Sequence, residues 1–388
     1  MKKHVNSEML INSKLPEIGT SIFAVMTKMA MDHKAINLAQ GFPDFNCSDE
    51  LLDLVSHYQK KGFNQYAPMP GVPALREQIS KKMKKLYGRN YDIENEITVT
   101  AGATQAIYTA ITAIIHPGDE VIIIEPAYDS YVPGVKASGG IPVFVKLISP
   151  NYSYDWNAVR KSISYNTKLI IINSPHNPTG SLITKEDLLQ LEEITKNTNI
   201  LIISDEVYEH IVFDNEKHYS LAESDELAKR TFVISSFGKT FHTTGWKIGY
   251  CAAPENLMKE FRKMHQFVVF AANTPIQYAY ADYLQDETHY LNLNSFYQNK
   301  RDIFIEGLKN SKFKILPCKG TYFQLLDYSK VSNLNDREFS EYLTKNHGIA
   351  VIPISPFYDE SDNASIIRIC FAKRDEVLVK ASKILSEL

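Results

Sequence analysis

The sequence predicts an α/β protein built on a mainly parallel sheet flanked by helices, with a smaller α+β domain. Three observations carry this reading. Short apolar runs recur that are too continuous to have a wet face, as expected of strands covered on both sides. Segments of helical period separate them. Polar or glycine residues follow each run at once, which is where open parallel sheets bind their ligands.

In chain order, the first 45 residues contain Leu15-Pro16 and Gly41-Phe42-Pro43 and precede the sheet, so they are read as an arm or as part of the small domain. Glu96-Ile97-Thr98-Val99-Thr100 is the first strand, followed by a helix over 104–115 that His116-Pro117-Gly118 closes. Strands follow at 121–124, 168–172, 200–203 and 231–234. Between the second and third of these, a helix over 184–195 opens with the capping signature Thr184-Lys185-Glu186-Asp187. After about residue 285 the pattern changes to a long polar-apolar helix over 297–308, a strand-like run over 320–326, another helix and a closing strand-helix pair. The division expected is therefore 1–45 as N-terminal arm and part of the small domain, 46–285 as the large domain and 286–388 as the small C-terminal one. No repeat or low-complexity tract interrupts it.

Composition excludes several classes. The 388 residues are 44% hydrophobic and 22% charged, which is globular, and a net charge of -3 without a basic block offers no footprint for nucleic acid or an anionic membrane. Met1-Lys2-Lys3-His4 is positive, but Val5-Asn6-Ser7-Glu8 stands where a secretory leader would be apolar, so a cytoplasmic protein is expected. Cys47, Cys251, Cys318 and Cys370 lie far apart with no C-x-x-C pair, and all four are read as buried thiols, with no zinc site and no disulfide framework.

The residues that carry chemistry follow the strands. Lys239, in Ser236-Phe237-Gly238-Lys239, stands at the end of an apolar run and not on a solvated helix face. Burial and cationic neighbours would lower its pKa and free the amine to attack an aldehyde. Ala101-Gly102-Ala103-Thr104-Gln105 opens a helix whose free N–H groups favour a phosphate, although any strand-to-helix turn can carry a glycine. In Asn173-Ser174-Pro175-His176-Asn177-Pro178-Thr179-Gly180 two prolines extend the backbone and aim Asn177 outward. In Ser204-Asp205-Glu206-Val207-Tyr208, Asp205 is either a helix cap or the partner of a protonated ring nitrogen. Taken together, a phosphate turn, an asparagine, an aspartate with a tyrosine three residues on, and a lysine supply one partner for each functional group of pyridoxal phosphate.

From about Ile22 to its end the chain resembles the fold-type I, class I/II aminotransferases, in the branch of the methionine, kynurenine and glutamine transaminases. The resemblance rests on Asn37-Leu38-Ala39-Gln40-Gly41-Phe42-Pro43-Asp44-Phe45, Asn64-Gln65-Tyr66, the segments holding Asp205 and Lys239, Gly245-Trp246-Lys247-Ile248-Gly249-Tyr250-Cys251 and Arg368-Ile369-Cys370-Phe371-Ala372-Lys373. Tyr66-Ala67-Pro68-Met69 and Gly238-Lys239-Thr240-Phe241-His242 look most like the bacterial methionine enzymes.

The resemblance implies a seven-stranded sheet, pyridoxal 5′-phosphate as cofactor and a homodimer with shared sites. By it, Lys239 would hold the cofactor as a Schiff base and shuttle the α-proton. Asp205 would keep the ring nitrogen protonated, Tyr208 and Asn177 would bond the phenolic oxygen, and Tyr128 would stack on the ring. Ala103, Thr104, Ser236 and Lys247 would cradle the phosphate, with Tyr66 reaching in from the second subunit. Lys247 replaces the arginine that aspartate aminotransferases use there, and gives up bidentate geometry. Arg368 would clamp the substrate carboxylate with help from Asn177 and the backbone of Gly41, and Phe23, Tyr66 and the second subunit's copy of Phe270 would line the side-chain pocket. No second arginine matches a distal clamp, so dicarboxylic substrates should fit badly.

The reaction expected is transfer of the amino group of methionine, or of another hydrophobic or aromatic amino acid, to a 2-oxo acid. A kynurenine or glutamine transaminase, or a cysteine-conjugate β-lyase, would share the same first steps. A non-catalytic regulator on this fold would carry a DNA-binding module, and the roughly 20 residues before Ile22 are too few for one.

Overall fold

The computed structural model describes residues 12–360 and 365–388; positions 1–8, read above for a leader, lie outside them. The strands in chain order are β1 (Ile36–Asn37), β2 (Ile97–Thr100), β3 (Glu120–Glu125), β4 (Ile141–Lys146), β5 (Thr167–Asn173), β6 (Leu201–Asp205), β7 (Thr231–Ser236), β8 (Gly249–Ala252), β9 (Lys314–Ile315), β10 (Phe323–Asp327), β11 (Ile349–Ala350), β12 (Ile352–Pro353) and β13 (Ile366–Cys370). Seven of them form the main sheet in the order β2-β8-β7-β6-β5-β3-β4. β8 runs antiparallel to both neighbours and every other adjacent pair is parallel. The carboxyl ends of β2, β3, β5, β6 and β7 therefore share one edge, the arrangement expected from their polar followers.

All five runs expected as strands are strands. The sequence reading omitted β4 and β8, each for a local reason. Pro142 argues against a strand except at a sheet edge, and β4 is the edge, with only Val145 buried. β8 is only four residues long and begins at Gly249, where a Cβ would lie 2.5 Å from the Ser235 carbonyl oxygen, so glycine is what lets this strand pair with β7.

The helix expected over 104–115 spans Ala103–Ile114. The one expected over 184–195 spans Lys185–Thr195, and its capping box forms as the sequence indicated, Thr184 and Asp187 each satisfying the other's backbone N–H. The helix placed at 297–308 starts earlier, at Leu293, and the strand placed at 320–326 is β10, starting at Phe323. Thr321, with φ 66°, ends the loop before it.

The C-terminal part forms a four-stranded antiparallel sheet, β12-β13-β10-β9. β1 pairs in parallel with β11, and the Cys370 amide donates to the Leu38 carbonyl at 2.8 Å. These bonds bring the segment around Gly41 against β13. Cys251, Cys318 and Cys370 are buried as expected, but Cys47 is only half-buried, because it precedes a surface helix whose sole buried residue is Leu51. No helix among the described residues is long and apolar enough to cross a membrane.

Candidate active site

A cavity of about 260 Å³ opens at the carboxyl edge of the main sheet. Gly102 to Thr104 line it after β2, Tyr128 and Asp129 after β3, Asn173 and Asn177 at the end of β5, Asp205, Val207 and Tyr208 at the end of β6, and Ser236, Gly238 and Lys239 at the end of β7. Lys247, Arg368, Phe23, Gly41 and Phe323 complete the wall. Twelve of the residues expected from sequence are thus gathered in one place. Tyr66 and Phe270 are not among the lining residues.

Lys239 follows the strand as expected, on a single helical turn, Phe237–Thr240, that starts where β7 stops. That turn keeps the side chain inside. Nζ donates to the Gly41 carbonyl at 3.2 Å and to the Tyr322 hydroxyl at 2.9 Å. Burial lowers the amine to about 8, and the cations Lys247 and Arg368 push the same way.

Asp205 is the last residue of β6 and is buried. It accepts from the Tyr131 hydroxyl at 2.6 Å and weakly, at 3.4 Å, from the Val207 amide, so the cap-like contact exists but does not exhaust the carboxylate. Burial raises its pKa to about 6 despite those two donors. Neither neighbour cancels its charge. The strand ends are tied together: the Asn173 side chain donates to the Asp205 carbonyl at 2.9 Å and accepts from the Asn177 amide at 2.8 Å. Beyond the turn, Glu209 is clamped by Lys82 at 2.6 Å, Tyr87 at 2.5 Å and Ser235 at 2.5 Å, which fixes the segment carrying Asp205 and Tyr208.

Arg368 is 1% exposed on β13. One Nη donates to Asn177 Oδ1 at 2.8 Å and the other to the Ala39 carbonyl at 3.2 Å, while the buried Nε has no partner. The guanidinium lies 3.9 Å from the centre of the Phe323 ring and 5.2 Å from those of Phe23 and Phe357. Burial lowers it to about 10, so it remains cationic at neutral pH. Gly41 lines the cavity as expected; its carbonyl accepts from Lys239 and Tyr322, while Arg368 donates to the Ala39 carbonyl.

The turn after β2 runs from strand to helix as expected. Gly102, at φ 78°, caps the helix from Ala103, and a Cβ there would lie 3.2 Å from Lys247 Nζ. Only glycine allows both that backbone and that lysine. The helix N-terminus at Ala103, Ser236 and Lys247 thus all line the one cavity. Sequence reasoning missed Tyr131, Phe323, Phe357 and Tyr322. The Tyr131–Asp205 and Tyr322–Lys239 contacts span 74 and 83 positions, and no local pattern encodes such contacts. Among the described residues no group of three or more His, Cys, Asp or Glu is placed to hold a metal.

A mainly parallel sheet that brings a buried, deprotonatable amine, a buried carboxylate, a helix N-terminus and a lone guanidinium to one cavity defines an enzyme that handles small amino and carboxylate compounds. The chain belongs to the aminotransferase class I and II family, which matches residues 33–382. Over 384 residues it is 47% identical to the methionine aminotransferase of Escherichia coli K12, covering 99% of this chain and 100% of that one. A crystal structure reported to identify a methionine aminotransferase function in Escherichia coli superposes with a TM-score of 0.96 at 48% identity, covering 98% of this chain and 100% of that chain. The N-succinyldiaminopimelate aminotransferase of Mycobacterium tuberculosis superposes with a TM-score of 0.94 at 38% identity, over 97% and 99% of the two chains. A kynurenine–oxoglutarate transaminase of Dictyostelium discoideum is 34% identical over 410 residues, 95% of this chain and 94% of that one.

Proposed function

We propose that this aminotransferase uses pyridoxal 5′-phosphate to move the amino group of methionine, or of another large apolar or aromatic amino acid, to a 2-oxo acid. The observation that carries the reading is the pairing of one carboxylate clamp, Arg368, with three aromatic rings around it and the Lys239 amine in the same cavity.

The residues present fit the cofactor. Gly102 is the glycine that the Lys247 approach requires, and Asp205 is a buried carboxylate whose charge lacks a cation in hydrogen-bond contact. When bound, the cofactor supplies an electron sink for charge developing at the substrate α-carbon. Ala103, Thr104, Ser236 and Lys247 hold its phosphate, Tyr128 packs on its ring, Asn177 and Tyr208 bond its phenolic oxygen, and Asp205 keeps its ring nitrogen protonated. Arg368 binds the substrate carboxylate, assisted by Asn177 and the backbone of Gly41. Lys239, poised near neutrality, takes the α-proton and returns it.

A dimer completes the site. Tyr66 is 82% exposed, Phe270 is 49% exposed, and their rings meet edge-on at 5.2 Å away from this chain's own cavity. Phe270 adopts φ 64°, which bulky residues avoid, as a residue held for a purpose does. Both observations support delivery of the pair to the cavity of a second copy. Residues 1–45 and 286–388 are assigned to the small domain side, 46–285 to the cofactor domain, and the protein to the cytoplasm.

The distal carboxylate of a succinylated or dicarboxylic substrate finds one guanidinium among the lining residues, already used, and Asp129 besides. The kynurenine relative supports an aromatic range. Twenty amino acids tested against several 2-oxo acids should give fast transfer from methionine and aromatic donors. Pyruvate and ammonia formed from a cysteine conjugate without an oxo acid would instead favour the β-lyase.

A further inference from the structure

Tyr322 is absent from the residues lining the cavity, yet its hydroxyl reaches the reactive amine. The side chain is fully buried. Its oxygen accepts from Lys239 Nζ at 2.9 Å and donates to the Gly41 carbonyl at 2.6 Å, and the same carbonyl accepts from Lys239 Nζ at 3.2 Å. Three polar atoms from three distant segments close a triangle.

The ring that carries this hydroxyl is tightly held. It stands edge-on to Tyr208 with centroids 5.0 Å apart and tilted against Tyr297 at 5.7 Å. Thr321, immediately before it, is a β-branched residue at φ 66°, a conformation that persists only where the surroundings impose it. Its amide is bonded to the Ile211 carbonyl at 2.9 Å.

The geometry restricts the lysine. An amine nitrogen has four directions; Cε occupies one, and the bonds to Tyr322 and Gly41 occupy two more. The fourth is the one left for the lone pair that receives a proton. Burial, and then Tyr208 and Cys370, keep the tyrosine hydroxyl far above its ordinary value, so it stays neutral and does not trap the lysine as an ammonium.

We propose that Tyr322 is a positioning residue for amino transfer, which with the Gly41 carbonyl docks the Lys239 amine while it is free and aims its lone pair at the substrate α-proton. This rests on the aminotransferase reading of the site. A proton taken from the α-carbon makes Nζ an ammonium whose other two N–H bonds stay on Tyr322 and Gly41. When that proton is returned the amine is neutral again, and Tyr322 has neither gained nor lost one.

The test uses full-length Tyr322→Phe loaded with pyridoxal 5′-phosphate and methionine deuterated at the α-carbon. Misaimed proton transfer should lower kcat by about a hundredfold with KM little changed. The primary isotope effect on kcat should rise, while Tm and cofactor affinity match the wild type. Incorporating 3-fluorotyrosine at 322, which keeps the ring and weakens the acceptor, should give an intermediate rate and serves if the phenylalanine variant does not fold. Unchanged kcat and isotope effect in a folded variant, or a loss matched by an equal loss of cofactor affinity, would overturn the proposal. Wild-type enzyme that fails to exchange the α-deuterium of methionine with water in the absence of an oxo acid would instead overturn the reading of methionine as donor.

Discussion

Replacing Asp205 by asparagine should stabilise the cofactor-free protein and slow the enzyme, and both effects have one cause. Burial lifts the carboxyl from 3.8 to about 6. That difference of about two units corresponds to about 3 kcal/mol. Because the folded pKa is raised, the folded chain binds more protons than the unfolded one between about pH 4 and pH 6. The stability present below that window is lost as pH rises through 6, and it stays lost above. Asparagine does not titrate. It keeps an oxygen for Tyr131 but turns an NH₂ toward the Val207 amide, forfeiting the weak 3.4 Å bond, a loss of about 1 kcal/mol. The variant apoprotein should therefore lead the wild type by about 2 kcal/mol near pH 8 and trail it slightly near pH 4. Urea unfolding of both apoproteins across that range, with fitted slopes compared, measures the difference. A difference that does not change with pH would refute the burial argument. In the holoenzyme the same change removes a preorganised charge, and turnover should fall by about 10²–10³.

Lys239→Ala should abolish transfer, and borohydride reduction of the wild-type holoenzyme should fix the cofactor to the peptide containing Lys239; fixation to another lysine would remove the assignment. Arg368→Lys should depress every amino-acid substrate, because a point charge replaces a two-pronged donor, and a selective loss would show that the clamp lies elsewhere. Phe23→Ala should reduce kcat/KM for methionine and phenylalanine more than for alanine. Wild-type kcat/KM for aspartate should be at least about a hundredfold below that for methionine, and equality would refute the pocket. Mixing Lys239→Ala with Tyr66→Ala subunits should restore activity, since one hybrid site is intact; no recovery after verified subunit exchange would mean that each chain builds its own site.

Much of this molecule is legible without coordinates, because its signals are local. A strand buried on both faces must be apolar throughout, so β2, β3, β5, β6 and β7 announce themselves. A polar residue directly after such a strand is delivered to the sheet edge by the chain itself, which is why Asp205 could be placed from its own segment. The helix at 185–195 was marked by the four residues of its capping box. What the tertiary structure decided are contacts between groups far apart in sequence. The Ala39 carbonyl meets Arg368 because β1 pairs with β11 and the Cys370 amide bonds to Leu38. Tyr131 finds Asp205 only because β3 and β6 flank β5, and Tyr322 finds Lys239 only because the loop before β10 folds over the end of β7. The charge states follow the same division. Sequence names a lysine and an aspartate, but the removal of water that moves one down to about 8 and the other up to about 6 is the work of every element packed around them.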